Sequence, residues 1–167
     1  MRQITDMDVE LKKQAVLTIR ALYFCIMEQW SGINKEHGIS SAQQHLLFIL
    51  SAHEKPITIS EISNLGCWHL STVSRLLQPL IRENYVTVQK SKTKYKYVSI
   101  TNKGFEKLME IANQVFPLKE FPFDFSGIEQ EDVQIFIEKG LEILKNFKGE
   151  EFLAWVKKPH SQKYMSS

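Results

Sequence analysis

The sequence predicts a mainly α-helical (α+β) fold, in which two long terminal helices flank a helix-turn-helix and a β-hairpin. Apolar residues recur every three or four positions over about 8–35 and again over about 129–147, which is the period of amphipathic helices. In between, two shorter amphipathic stretches meet at Gly66, and two β-branched runs flank a lysine-rich connection. A helix-turn-helix followed by a hairpin is a winged helix-turn-helix, and we expect this unit over 40–104.

The N-terminal helix is predicted to be longer than a small domain is wide. It would span about 28 residues and therefore about 40 Å at 1.5 Å per residue, so we expect it to pack against a second subunit. The region 8–36 is accordingly predicted to be part of a dimerisation region. Its apolar positions are Leu11, Ala15, Ile19, Leu22, Tyr23, Ile26 and Trp30.

A second helix and a very short strand are predicted next. Ser40 or Ser41 can cap this helix, which ends near His53 before a proline-containing loop. Residues 57–59 form the short strand. The inward-facing residues of the helix are predicted to be Leu46, Leu47 and Leu50.

The helix-turn-helix is predicted from two segments and the glycine between them. The segment SEISNL forms the first helix, and Gly66 ends it as a C-cap glycine. The second helix covers 69–84, and Pro79 should bend it only beyond its exposed polar cluster. The apolar face is predicted to hold Leu70, Val73, Leu77, Leu80 and Ile81. The opposite face holds Ser71, Thr72, Arg75, Gln78 and Arg82.

The hairpin over 86–100 is predicted to be a basic wing. Its connection, QKSKTKYK, carries a lysine at every second position. On an extended backbone this spacing projects the side chains to one side. The four lysines are Lys90, Lys92, Lys94 and Lys96.

The C-terminal part, 105–158, is predicted to complete the helical dimerisation region. A helix runs from Thr101 to about Phe116, after which PLKEFPFDFSG interrupts regular structure. A long helix follows over 129–147, and EEFLAWVKK adds a short one. The apolar side of the long helix holds Val133, Ile137, Leu141 and Leu144. We expect the whole chain, 1–167, to be a single unit.

Charge is concentrated in the middle of the chain. The net charge of +2 is divided into +6 over 55–103 and small negative values over 1–54 and 104–167. A basic middle is typical of a module that faces a polyanion, although a solvated lysine-rich face would also produce it. No apolar run is long enough to span a membrane and the N-terminal residues do not resemble a signal peptide, so a cytoplasmic protein is expected.

Other classes of site find little support in the residue pattern. Cys25 and Cys67 stand apart, without the spacing of a zinc module, and we expect both to be reduced and buried rather than redox-sensing. The five histidines form neither an HxxxH nor an HExxH pattern. No nucleophile elbow, phosphate-binding glycine loop or paired-carboxylate motif is present. We therefore predict no enzyme, no cofactor and no metal site.

The exposed residue types of the middle segment suit double-stranded DNA. Hydroxyl groups can bind phosphates or base edges, arginine can pair with guanine, and glutamine can reach adenine. The lysines of the wing would add affinity without sequence information. The predicted DNA-binding residues of the second helix are His69, Ser71, Thr72, Ser74, Arg75 and Gln78, and those of the wing are Lys90, Lys92, Lys94 and Lys96.

These residues resemble a known family. The segment TISEISNLGCWHLSTVSRLLQPLIRENYVTV, followed by a wing and ITNKG, is similar to MarR-type (multiple antibiotic resistance regulator) transcription factors. The longer tail resembles the branch of protease-production regulators of bacilli. The matching positions are Glu61 and Ile62 in the first helix, Ser71, Thr72, Val73 and Arg75 in the second, and Ile100, Thr101 and Gly104 after the wing.

The resemblance implies a homodimer joined through its terminal helices. It also implies an effector pocket between those helices and the DNA-reading unit, with Tyr23, Phe24 and Trp30 as lining residues, but the sequence identifies no ligand. The wing departs from the family pattern, which has Asp two residues before Arg where this chain has Lys92 and Lys94. Because Lys lacks the planar fork of Arg, we expect this wing to bind phosphates.

The predicted function is a homodimeric, sequence-specific regulator of transcription, a repressor that reads a palindromic DNA site with helix 69–84 and wing 86–100. Two alternatives remain open from the sequence. One is a winged-helix module that binds proteins instead of DNA. The other is a sensor of a small molecule or metal without direct DNA binding.

Overall fold

The structure, a computed structural model, describes residues 7–160. Six helices and three strands follow one another along this part of the chain, and the predicted fold class is confirmed. The elements are α1 (Val9–Glu36), α2 (Ser41–Ser51), β1 (Ile57–Thr58), α3 (Ile59–Gly66), α4 (Leu70–Arg82), β2 (Val86–Lys90), β3 (Lys96–Ile100), α5 (Asn102–Val115) and α6 (Gln130–Lys157).

Local capping bonds fix where the early helices begin. The Asp8 carboxylate accepts a hydrogen bond from the Leu11 amide at 3.0 Å, which caps α1. Ser40 caps α2 in a reciprocal capping box with Gln43, and Thr58 caps α3 in another with Glu61. The cap at Thr58 places Ile59 in α3, so the strand predicted over 57–59 is one residue shorter.

The three strands form one antiparallel sheet in the order β1-β3-β2. β1 pairs Ile57 with Val98, and β2 pairs Val88 with the same residue from the other side. The pairing places β1, which precedes the helix-turn-helix, beside the wing. Both ends of the helix-turn-helix are thereby attached to one sheet.

The core lies between α2, the helix-turn-helix, the sheet and α5. The predicted inward residues of α2 are confirmed, since Leu46 and Leu47 are fully buried and Leu50 is nearly so. Large side chains that are fully or almost fully buried there are Leu46, Leu47, Ile49, Ile62, Val73, Leu80, Val98 and Ile111. Burial of each such side chain stabilises the fold by about 1.5–3 kcal/mol.

The terminal helices expose much of their apolar surface in the single chain. The predicted helical period of α1 is confirmed, yet side chains such as Ile19 and Tyr23 are more than half exposed. Along α6, Phe136, Ile143 and Phe147 are 59%, 61% and 82% exposed. Continuous exposure on this scale indicates surface that another chain could cover.

α6 contains one break, at Gly149, whose φ of +76° is not helical. The short helix predicted for EEFLAWVKK is the segment that follows this break. Phe152 and Leu153 of that segment are buried against Leu141 and Leu65, so the end of α6 packs back on α3. Within residues 7–160, no helix is long and apolar enough to cross a membrane.

Candidate nucleic-acid interface

Helix α4 buries one face and presents the other to solvent. Val73, Leu77 and Leu80 are buried, which turns the polar side outward. The helix begins and ends inside the predicted range 69–84. Leu70, predicted to lie on the apolar face, is the first residue of the helix and is 53% exposed. Of the predicted DNA-binding residues, Ser71, Ser74, Arg75 and Gln78 are exposed and Thr72 is half-buried.

The N-terminal end of α4 has no side-chain cap. His69 is the N-cap residue and is exposed, but its side chain makes no capping hydrogen bond. The first amide groups of the helix therefore keep donors for an outside acceptor. Helix N-termini attract anions because these donors and the helix dipole act together.

In the turn before α4, the residue with the left-handed backbone conformation is not the glycine that the sequence predicted. Cys67, not Gly66, adopts the left-handed region, with φ of +57°. Gly66 is the last helical residue, and a Cβ there would lie 2.2 Å from Cε3 of Trp68. Glycine is thus required for close packing of the Trp68 ring rather than for its own φ.

The wing is a hairpin, but the extended backbone that the prediction assumed for all four lysines is interrupted between them. Extended backbone ends at Lys90 and resumes at Lys96, and these two residues are directly paired across the strands. Lys92 and Lys94 lie in the bend between them, where alternation along a strand no longer applies. Lys90 and Lys96 therefore lie at the base of the wing, and Lys92 and Lys94 lie at its tip.

All four wing lysines are exposed and none makes an ion pair with residues 7–160. Like charges paired directly across two strands destabilise a hairpin. A bound polyanion would remove that cost for Lys90 and Lys96. Arg75 likewise has no carboxylate partner in the described part of the chain.

The Ile-Thr-x-x-Gly signature has a structural explanation. Thr101 caps α5 by accepting a hydrogen bond from the Gly104 amide at 3.0 Å, and its hydroxyl donates to the Asn84 carbonyl at 2.7 Å. A Cβ at Gly104 would lie 2.1 Å from the Tyr85 carbonyl oxygen. The signature therefore joins α5 to the connection between α4 and the wing.

Two neighbouring cavities lie between α1 and the core of the helix-turn-helix. One, of about 400 Å³, is bounded by α1, α2 and α5 and includes Trp30 and His45. The other, of about 350 Å³, shares those two residues and adds Tyr23. Burial of His45 lowers the pKa of its imidazole, so this cluster favours an uncharged ring. Phe24, predicted to line an effector pocket, lines neither cavity and is 56% exposed.

The prediction that both cysteines are buried is wrong for the single chain. Cys25 and Cys67 are free thiols with exposed side chains. Cys25 lies on α1, most of whose apolar side faces solvent, and Cys67 is the left-handed C-cap residue of α3. Residues 7–160 contain no group of three or more His, Cys, Asp or Glu side chains that could hold a metal ion.

Two side chains near the interface were not singled out from the sequence. Tyr95 is 54% exposed at the wing, between two of the lysines. Lys148 of α6 lies against α3, where its Nζ donates to the Asn64 carbonyl oxygen at 2.5 Å. An aromatic residue within a lysine-rich turn could have indicated Tyr95, but nothing local connects Lys148 with a helix 84 residues earlier.

A family model described as the MarR family matches residues 39–93, which run from α2 through α4 and into the bend of the wing. The chain contains a MarR-family domain. The resemblance seen in the sequence motifs is thereby confirmed. Outside the matched range, α1 and α6 extend this MarR domain with long helices.

Relatives of this chain include HTH-type transcriptional regulators named Hpr. The Hpr protein of Bacillus mycoides (strain KBAB4) is 27% identical over 143 residues, which cover 80% of this chain and 74% of the relative. The Hpr protein of Bacillus cereus (strain B4264) matches to the same extent. These matches extend beyond the MarR domain and support the predicted similarity to the bacillar branch.

Solved structures of MarR-type proteins share the fold. Staphylococcus aureus MarR, in complex with salicylate and kanamycin, superposes with a TM-score of 0.69 at 23% identity and covers 83% of this chain and 93% of its own. The Staphylococcus aureus MepR–DNA complex gives a TM-score of 0.68 at 18% identity, with 78% and 96% covered. At these identities the likeness establishes the winged-helix fold.

Proposed function

We propose that the protein is a cytoplasmic, homodimeric transcription regulator, and not an enzyme, which binds a palindromic double-stranded DNA site and represses transcription. The observation that carries the proposal is the exposed polar face of α4 together with a wing whose four exposed lysines make no ion pair with residues 7–160. The DNA-reading unit would be residues 40–104, and the dimerisation region 8–36 and 105–158. Similarity to the Hpr transcriptional regulators and to MepR, whose structure contains DNA, supports the same function.

Each part of the interface would have a different task. The N-terminal half of α4 would enter the major groove, where Arg75 and Gln78 contact base edges. Ser71, Thr72, Ser74 and His69 would bind phosphates or the edges of the first bases. Lys90, Lys92, Lys94 and Lys96 would follow the adjacent backbone and provide affinity with little selectivity.

The exposed apolar surfaces of α1 and α6 support the homodimer. A stable interface between subunits needs an apolar core with a polar rim, and both terminal helices supply large side chains that the single chain leaves uncovered. Two readers joined in this way would contact two half-sites related by the same twofold symmetry. The binding site would therefore be a palindrome.

Selection of bound fragments from random duplex DNA tests the proposal. We expect a palindromic site with a fixed distance between its halves. If a dimer contacts about 8–10 phosphates, affinity for that site should fall with salt with a log–log slope of about −7 to −9. Recovery of no preferred sequence and a flat salt response would favour a module that binds proteins.

A small-molecule effector is a second candidate function, supported by the apolar cavities beside α1. Their position between a terminal helix and the helix-turn-helix would allow a ligand to alter the relative placement of the two. Salicylate is a suitable probe because it is present in the complex of Staphylococcus aureus MarR. Saturating salicylate should raise the melting temperature of the protein without DNA, and an unchanged melting temperature would exclude this aromatic acid as a ligand.

A further inference from the structure

Lys148 is the residue by which α6 reaches the helix-turn-helix. Its ammonium group donates to the Asn64 carbonyl oxygen at 2.5 Å and lies 4.9 Å from the centre of the Phe152 ring. Gly149 interrupts the helix immediately afterwards. Lys148 is therefore held in place by contacts on both sides, at the last position before the break.

Lys148 lines a polar recess at the start of α4. The recess has a volume of about 380 Å³ and extends from α3 to the N-cap of α4. Ser60 and His69, which also line it, make no side-chain hydrogen bonds with residues 7–160 and keep their hydrogen-bonding capacity. The complete lining is Ser60, Ser63, Asn64, Cys67, Trp68, His69 and Lys148.

The charge of Lys148 is not neutralised within the described part of the chain. Two other lysines of α6 behave differently, since Lys139 pairs with Glu142 at 3.1 Å and Lys145 pairs with Glu150 at 2.7 Å. The recess has no carboxylate among its lining residues. An ammonium group has three donors, and only one of those of Lys148 is used by Asn64. The recess is thus a cationic site with free donors.

In a helix-turn-helix complex the first helix crosses the DNA backbone while the second enters the groove. The recess lies where these two helices meet, at the N-terminal end of α4, whereas the wing follows the C-terminal end. We propose that Lys148, with Ser60 and His69, binds a phosphate of the DNA backbone. This contact rests on the proposed DNA-binding function, and it would come from the helix proposed to dimerise rather than from the winged-helix unit itself.

The alternative is that Lys148 only caps the C-terminal end of α3. Lys148→Gln separates the two roles because glutamine can still donate to the Asn64 carbonyl but carries no charge. Lys148→Arg keeps the charge. Lys139→Gln is the matched control, since it removes a charge from the same helix at an exposed ion pair.

The experiment is a titration of one DNA duplex with protein at several salt concentrations. The duplex is either the site found by the selection described above or a random sequence, and the same duplex is used for all variants. We expect Lys148→Gln to weaken binding about 3- to 10-fold at low salt and to make the log–log slope shallower by about 1.8 per dimer, which is 0.9 for each lost phosphate contact. Lys148→Arg and Lys139→Gln should keep the wild-type slope. Melting temperatures of the free proteins should agree to within a few degrees.

Two results would overturn the proposal. If the wild type binds DNA and Lys148→Gln keeps its slope, Lys148 has only a capping role, and this holds even when affinity or melting temperature falls. If the wild type itself shows no salt-dependent binding, the proposed function fails together with this contact. The wild-type slope thus tests the function, and the difference between the slopes tests Lys148.

Discussion

Arg75 is the side chain on which sequence preference at the proposed interface should depend most. It is exposed on α4, one turn from the start of the helix, and no carboxylate competes for its guanidinium group within residues 7–160. Such a group can form two parallel hydrogen bonds with guanine. Its contribution would depend on planarity as well as on charge.

Arg75→Ala should therefore cost about 1–3 kcal/mol of binding free energy on the preferred site and relax selectivity at one base pair of each half-site. Arg75→Lys should retain part of the affinity but lose the selectivity. Competition of labelled preferred duplex with random duplex measures both. Equal affinity and selectivity in wild type and Arg75→Ala would remove Arg75 from the interface.

Gly104 is required by a contact with backbone rather than by its own conformation. A methyl group there would press on the Tyr85 carbonyl oxygen, which already accepts the Thr101 amide. We predict that Gly104→Ala lowers the free energy of unfolding by about 1–3 kcal/mol, as crowding of a packed site does. Urea unfolding at one fixed protein concentration measures the change.

Gly32→Ala is the control for this prediction. Gly32 lies within α1 and nothing stands within 4 Å of a Cβ there. Alanine should stabilise the helix by about 0.5–1 kcal/mol. A loss of stability at Gly32 as large as that at Gly104 would show that the two glycines are not distinguished by their surroundings.

The turn between α3 and α4 shows what residue types reveal and what they do not. Glycine at position 66 correctly marked the end of a helix, but the left-handed residue is Cys67. The decisive factor is the Trp68 ring, which occupies the space of a Gly66 side chain. A contact of this kind depends on the packed position of an aromatic ring, which local sequence preference does not specify.

At the scale of elements, the wing combines a regular base with an irregular tip. The bend is organised by its own residues, because the Ser91 hydroxyl accepts a hydrogen bond from the Thr93 amide at 2.9 Å. The strands were predictable from β-branched and aromatic residues. The positions of Lys92 and Lys94 were not predictable in this way. The prediction assumed an extended backbone along the whole lysine repeat, whereas these two residues lie in a bend.

Replacement of Lys92, Lys94 and Lys96 by alanine should weaken binding to the preferred duplex and to random duplex by similar factors, because phosphate contacts carry no sequence information. Filter binding or fluorescence anisotropy on both duplexes measures this. A loss confined to the preferred duplex would indicate that the wing reads the groove itself.

The long helices were predictable because their apolar period is continuous, but the break within α6 was only indicated by a change in the sequence pattern. Gly149 and the burial of Phe152 and Leu153 place the final segment against α3. This contact joins residues about 90 positions apart. The apolar period describes one helix at a time and gives no information on which other helix packs against it.

At the scale of the whole molecule, the exposed apolar sides of α1 and α6 are the surfaces that the proposed homodimer would cover. The length of α1 predicted such a partner from the sequence. Which residues would lie at the centre of the interface could not be predicted, because this depends on how the two terminal helices face each other.

Phe147→Asp should convert the proposed homodimer to a monomer, since an uncompensated carboxylate in an apolar interface is costly. Phe147 is 82% exposed in the single chain. Sedimentation velocity measures the change, and Tyr95→Asp, at an exposed aromatic residue of the wing, should leave the mass unchanged. A wild-type chain that sediments as a monomer would contradict the proposed assembly.

In the proposed dimer, the break at Gly149 would make the distance between two bound half-sites depend on a residue outside the reading surface. Through Lys148 and Phe152, the helix that would join the subunits also contacts α3. A side chain at Gly149 would strain its positive φ and change the angle at which α6 meets the reader. Operators with one base pair added or removed between the halves could then become the better targets, while recognition within each half stays the same.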